Sequence, residues 1–193
     1  MTGAGVAGML LTPGAGSGRD HATLLAIEAS VAPLPVARID FPYRRAGRRA
    51  PDRAPVLLQC VRDETAAFAE RLGVEARRLV LGGRSMGGRM CSLAVADGLA
   101  AAGLVLISYP LHPPGKPENL RTAHFPQLAV PCLFVSGDRD SFGTPDELRH
   151  HTASIAGPVE LHFIAGGRHD LSKVDGQIVA AVTAWLGRWG LKP

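Results

Sequence analysis

Short apolar runs alternate along the chain with longer segments whose apolar positions recur every three or four residues. A short continuous run bounded by turn residues reads as a buried strand, and the longer period reads as a helix with one apolar face. On this basis residues 6–11, 36–39, 78–81, 104–107, 132–135 and 159–164 are six predicted strands. Helices are predicted over residues 19–31, 55–72, 85–96, 145–154 and 170–188. Pro55 suits a first helical turn and Gly73 a stop, while Asp20 stands near the start of the first helix. Asp170 reads as an N-cap of the last helix, whose Val174, Ile178, Val182, Trp185 and Leu186 share a face. The alternation fails once. Residues 109–130 carry five prolines, and an ordered loop is expected there in place of a crossover helix.

Strands that are apolar throughout, separated by helices, imply a mostly parallel sheet covered on both faces. The expected fold is α/β, a three-layer α/β/α arrangement. If the first strand lies between the second and third, the sheet order is 2-1-3-4-5-6, with its switch point beside the first strand. A length of 193 residues fits a single domain spanning 1–193, able to bury a core without disulfide or metal.

Composition narrows the class. The hydrophobic share is 46% and the charged share 20%, an ordinary balance for a globular chain. Cys60, Cys91 and Cys132 are an odd number in apolar or mixed surroundings, so buried reduced thiols and a cytoplasmic setting are expected. No apolar run has membrane-spanning length, and residues 1–11 lack the basic start of a secretory signal. The net charge of +4 comes from 18 arginines and only three lysines, Lys116, Lys173 and Lys192, spread against the acids. Neither a nucleic-acid nor a membrane partner is expected from such a spread. The one dense basic stretch, residues 38–53, reads as a solvated loop.

The chemistry concentrates at Gly83-Arg84-Ser85-Met86-Gly87, directly between a predicted strand and a predicted helix. Gly-x-Ser-x-Gly in that context is a nucleophile elbow: a tight strained turn lifts the hydroxyl clear of the sheet, and only small flanking residues fit. A hydroxyl becomes a nucleophile when a neutral histidine takes its proton and a carboxylate holds that histidine. In chain order Ser, acid, His, the candidates are Ser85, then Asp140 or Asp138 after the fifth strand, then His169 after the sixth. Asp140 is preferred for its longer reach; Asp138 otherwise fixes the turn. An oxyanion hole would draw on the Met86 N–H and on the Gly14-Ala15-Gly16 loop, Ala15 above all, each donor supplying roughly 2.7–4 kcal/mol to the transition state. Arg44, Arg45 and Arg48 leave a strand end on the same edge and are candidate binders of an anionic substrate group.

Other uses of these residues are weaker. Gly14-x-Gly16-x-Gly18 is not a dinucleotide fingerprint, although Asp40 stands where a ribose-binding acid would, and the Lys-Ser/Thr of a phosphate loop is missing after Gly82-Gly83. His150 and His151 are adjacent on a predicted helix and do not share a face, so no metal or other cofactor is expected. His112 and His124 fall in the proline-rich loop as hydrogen-bond partners, and Cys91 packs on the elbow helix.

Taken together, Pro13-Gly14-Ala15-Gly16, Asp40-Phe41-Pro42-Tyr43, Gly82 to Arg89, Tyr109 to Lys116 and Gly137 to Gly143 resemble the alpha/beta-hydrolase superfamily. More narrowly they are similar to the KANL3/Tex30-type hydrolase-like family, distant from dienelactone hydrolases. The resemblance implies a minimal, lidless hydrolase fold and a serine esterase or thioesterase acting on a small or accessible acyl substrate. It implies Ser85, Asp140 and His169 as the triad. Pro13 replaces a histidine frequent before the oxyanion-loop glycine, and two N-terminal strands common in the superfamily have no counterpart. The same family name also covers members that act in complexes, so the alternative is a non-catalytic interaction module on a hydrolase fold.

Overall fold

Alternate side chains of a strand point to opposite faces of a sheet, and here both sets are apolar. The computed structural model describes residues 5–189. Its six strands are β1 (Gly8–Thr12), β2 (Val36–Arg38), β3 (Leu79–Arg84), β4 (Gly103–Ile107), β5 (Cys132–Gly137) and β6 (Val159–Ile164). All neighbours pair in parallel, in the order β2-β1-β3-β4-β5-β6. Leu10, Leu79, Leu81, Leu104, Leu106 and Phe134 face one core. Met9, Leu11, Val80, Val105, Ile107, Leu133 and Val135 face the other.

The helices cover these two faces. Helices α3 (Ala54–Leu72), α4 (Met86–Ala96) and α5 (Pro145–Thr152) place Val61, Phe68, Met90 and Leu148 in the first core. Helices α1 (Ala22–Ser30) and α6 (Asp175–Arg188) place Leu24, Ile27, Ile178, Val182 and Trp185 in the second. A four-residue helix, α2 (Pro42–Arg45), interrupts the basic stretch read as a loop, its Pro42 in the first turn. The proline-rich segment between β4 and β5 is a loop with one 3-10 turn at Phe125–Gln127, as its composition predicts.

Two helices start later than the sequence reading places them, α1 at Ala22 and α6 at Asp175. Asp20 does not cap α1; the Nδ1 of His21 accepts from the Thr23 N–H at 3.2 Å instead. Asp170 does not cap α6, which begins at Asp175. The intervening turn carries Leu171 and Lys173 at φ 44° and 63°, so the backbone leaves helical geometry before the helix starts. Helix α5 opens with a capping box between Thr144 and Glu147.

All three cysteines are free and buried. Among the described residues no helix is long and apolar enough to cross a membrane. Residues 1–4 of the N-terminal segment and Lys192 lie outside the described residues.

Candidate active site

Four loops meet at the C-terminal edge of the sheet, following β1, β3, β5 and β6. Ser85 sits in the turn from β3 to α4 with φ 46° and ψ −114°, a conformation that costs a non-glycine residue of order 1–3 kcal/mol. The surroundings hold it there. Ser85 N–H donates to the Ile107 carbonyl at 2.8 Å, and Arg89 N–H donates back to the Ser85 carbonyl at 3.0 Å. The turn also presses on the end of β1. A Cβ at Gly83 would stand 2.2 Å from the Thr12 carbonyl oxygen, and one at Gly87 would stand 2.5 Å from the Pro13 carbonyl oxygen. The two glycines of the motif are therefore required by packing on both sides of the serine.

Ser85 Oγ lies 2.9 Å from His169 Nε2. His169 Nδ1–H donates to Asp140, with Oδ2 at 2.8 Å and Oδ1 at 3.0 Å. That tautomer leaves Nε2 a bare acceptor facing the hydroxyl. Asp140 is 3% exposed, and its Oδ1 also accepts from the Phe142 N–H at 2.8 Å. The Phe142 ring stacks on the His169 ring, with centroids 3.9 Å apart and planes 25° apart. One short loop thus supplies both the carboxylate and the surface on which the imidazole rests. Asp138 stands elsewhere: its Oδ1 accepts from the Gly166 N–H at 2.8 Å, tying the two loops together.

Ala15 and Met86 line the same cleft. Met86 opens α4, where an N–H has no partner within the helix. Among the described residues neither the Ala15 nor the Met86 N–H donates to a protein acceptor. The direction of the Ala15 amide is set indirectly. The Gly14 carbonyl accepts from Ser17 N–H at 3.2 Å, and a trans peptide turns the Ala15 N–H to the opposite side. The next carbonyl, that of Ala15, accepts from the Tyr43 hydroxyl at 2.8 Å. Ser17 and Tyr43 carried no sequence signal for this task; they become visible only once the β1 loop folds over α2.

Arg84 occupies the variable position before the serine. Its Nη2 donates to the carbonyls of His169 and Asp170, and its Nη1 meets His21 Nε2. Burial pulls this guanidinium below its usual range, with Asp175 and Asp170 acting the other way. Burial, then Arg84, lowers His21 as well, with Asp175 acting the other way.

The cleft has a volume of about 630 Å³. Its walls include Gly14, Ser17, Ser85, Met86, Phe142 and His169, together with Arg84, Arg89, Arg121 and Asp170. The arginines nominated from the sequence are not among them. Arg45 pairs with Glu64, Arg48 pairs with Asp52 at 2.7 Å, and Arg44 lines a neighbouring hollow with Gly18 and Asp40. Helix α2 carries Arg45 to Glu64 of α3, and the loop after it carries Arg48 to Asp52, so acids neutralise two of the three. Asp40 is engaged too, accepting from the Arg19 N–H at 2.8 Å. His124 Nε2 bonds Ser92 Oγ at 2.8 Å and His112 Nδ1 lies 2.9 Å from the Pro113 carbonyl, so both serve the loop. Cys91 packs in α4 against Thr12. Among the described residues no group of three His, Cys, Asp or Glu side chains could hold a metal ion.

Similar folds are known. Est1E from Butyrivibrio proteoclasticus aligns with a TM-score of 0.76 at 16% identity, over 97% of this chain and 90% of its own. An alpha-beta serine hydrolase homologue from Coxiella burnetii aligns at 0.71 and 16%, over 93% and 86%. The type II thioesterase BorB of the borrelidin biosynthetic cluster aligns at 0.69 and 18%, over 94% and 93%. At such identities the likeness is one of fold. The sequence itself matches the family described as alpha/beta hydrolase domain over residues 5–180, nearly the whole chain, and the protein belongs to that family.

Proposed function

We propose that this chain is a serine hydrolase that cleaves carboxylic esters or thioesters through an acyl-enzyme. The observation that carries the reading is the unbroken hydrogen-bond chain from Ser85 Oγ through His169 to the buried Asp140. Ser85 Oγ adds to the substrate carbonyl carbon as its proton passes to His169 Nε2. The oxygen that becomes negative is received by the Ala15 and Met86 N–H groups, the second at the N-terminus of α4, where partial positive charge gathers. The Nε2 proton then moves to the departing oxygen or sulfur as its bond to carbon breaks, leaving the acyl group on Ser85. Water, deprotonated by the same nitrogen, adds to that acyl carbon; the carboxylic acid leaves and Ser85 recovers its proton.

Asp140 keeps the proton on Nδ1 and stabilises the imidazolium as it forms. The cleft volume suits a small or accessible acyl substrate. Within the superfamily we place the chain with the KANL3/Tex30-type group, distantly dienelactone hydrolase-like, on the elbow and the Gly137 to Gly143 motif. The fold is shared with proteins described as a serine hydrolase homologue and a type II thioesterase, which is consistent with this chemistry.

A fluorophosphonate probe tests the reading, because it forms a bond to serine oxygen with loss of fluoride only when the hydroxyl is activated. Wild-type protein should be labelled and Ser85→Ala should not. A folded wild-type protein that takes up no probe would overturn the proposal and leave the interaction module as the better account.

A further inference from the structure

The cleft carries more positive charge than the proposed chemistry uses. Arg84, Arg89 and Arg121 line it, against a single carboxylate, the exposed Asp170. The Coulomb effect of Asp170 is felt by Arg84, whose Nη2 is already committed to the carbonyls of the His169 loop and whose Nη1 meets His21. Arg89 and Arg121 are left. Among the described residues neither side chain donates a hydrogen bond or pairs with an acid, and Arg89 Nε is buried with no acceptor at all. Elsewhere in the molecule Arg38, Arg45, Arg48, Arg62, Arg77, Arg149 and Arg188 each meet an acid, and several arginines without one, such as Arg49, Arg53 and Arg168, are exposed to solvent rather than half-buried in a cleft.

Their placement matters as much as their lack of partners. Arg89 follows Ser85 by one helical turn, on the same side of α4 as the hydroxyl. Arg121 belongs to the proline-rich loop, where its N–H donates to the Leu111 carbonyl at 2.7 Å and its carbonyl accepts from the Tyr109 hydroxyl at 2.7 Å. The backbone therefore fixes Arg121 across the cleft from α4. The two guanidiniums are near enough that Arg89, after burial, helps to lower Arg121. Two half-buried like charges facing one cavity repel each other, and an anion between them relieves that repulsion while filling the empty donors.

We propose that Arg89 and Arg121 form a subsite for an anionic group of the substrate, a carboxylate or a phosphate, so that the hydrolase selects acidic esters or thioesters. This rests on the proposed hydrolase function and names its substrate class. The anion can sit on the acyl part or on the leaving group, and matched substrate pairs separate the two. Glutaric acid mono-p-nitrophenyl ester is compared with its distal methyl ester, and acetyl-coenzyme A with the neutral S-acetyl-N-acetylcysteamine.

The charged member of at least one pair should have the higher kcat/KM by about tenfold or more. Arg89→Gln and Arg121→Gln should each shrink that ratio about tenfold, Arg121→Lys should retain part of it, and Arg62→Ala, remote and paired with Asp97, should leave it alone. Glutarate and coenzyme A titrated calorimetrically into Ser85→Ala protein read the subsite without turnover; saturable binding of one, weakened about tenfold by adding Arg121→Gln, is expected. Ratios within twofold in both pairs, or unaltered in both glutamine variants, would overturn the proposal, as would absence of binding by both anions. Failure of wild-type protein to turn over all four substrates while anion binding persists would overturn the hydrolase reading alone.

Discussion

Asp140→Asn is the sharpest test of the hydrogen-bond chain, because the structure dictates how the new amide must sit. Asp140 Oδ1 accepts from the Phe142 N–H at 2.8 Å, and Oδ2 accepts from His169 Nδ1 at 2.8 Å. An asparagine has one oxygen, and the backbone donor of Phe142 claims it. The amide nitrogen then falls where Oδ2 was and points its hydrogens at Nδ1. Two donors cannot face each other, so Nδ1 must become the acceptor and the imidazole proton moves to Nε2. Nε2 stands 2.9 Å from Ser85 Oγ, and it now offers a proton where the mechanism needs a lone pair. Size and packing hardly change. The expected result is a fall in kcat of about a thousand- to ten-thousand-fold, or about 4–5.5 kcal/mol of barrier, with little change in melting temperature. Initial rates on a p-nitrophenyl ester, with thermal unfolding alongside, measure both. A folded Asp140→Asn protein retaining more than about a tenth of wild-type kcat would show that His169 does not depend on Asp140 for its tautomer, and the proposed mechanism would fail.

Three other outcomes follow from the structure. Gly87→Ala drives a methyl group into the Thr12 hydroxyl and the Pro13 carbonyl and should cost about 1–3 kcal/mol, lowering Tm by roughly 3–10 °C, whereas Gly16→Ala, with nothing within 4 Å, should unfold within a degree or two of wild type. His124 is pushed from 6.5 to about 4 by burial and then by Arg89, so the unfolded chain takes up its proton first as pH falls; stability should be complete above pH 6.5, decline between 6.5 and 4, and decline less steeply in His124→Gln, the difference being of order 1–2 kcal/mol once solvent screening is allowed for. Burial pushes the Cys91 and Cys132 thiols up to about 12, so iodoacetamide at about pH 8 should leave both unmodified in native protein and alkylate them after denaturation, read by mass spectrometry.

The parts of the molecule legible in its sequence are those governed by local pattern. Continuous apolar runs such as Leu104 to Ile107, bounded by turn residues, read as strands buried on both faces, and the helices between them imply parallel pairing. The elbow announces itself because a strained serine needs small residues at fixed offsets. What the sequence hides depends on side chains meeting across loops. The charges of Arg45 and Arg48 look free until α3 and the loop before it bring Glu64 and Asp52 to them. Arg89 and Arg121 look unrelated at 32 positions apart, and only the path of the proline-rich loop makes them face one cavity. Asp170 has the chemistry of a helix cap, but positive φ angles at Leu171 and Lys173, residues with no preference for them, postpone the helix to Asp175.

Arg84 lies on the central strand, yet it grips backbone from the far edge of the sheet and touches His21 on the near side. Three loops remote in sequence are thereby cross-braced before any substrate arrives. The entropy of arranging them is lost once, during folding, and not again at each encounter. In the proposed hydrolase a site built that way is ready in its resting state, and turnover should respond to changes in viscosity through diffusion of the substrate alone, with no contribution from a closing motion.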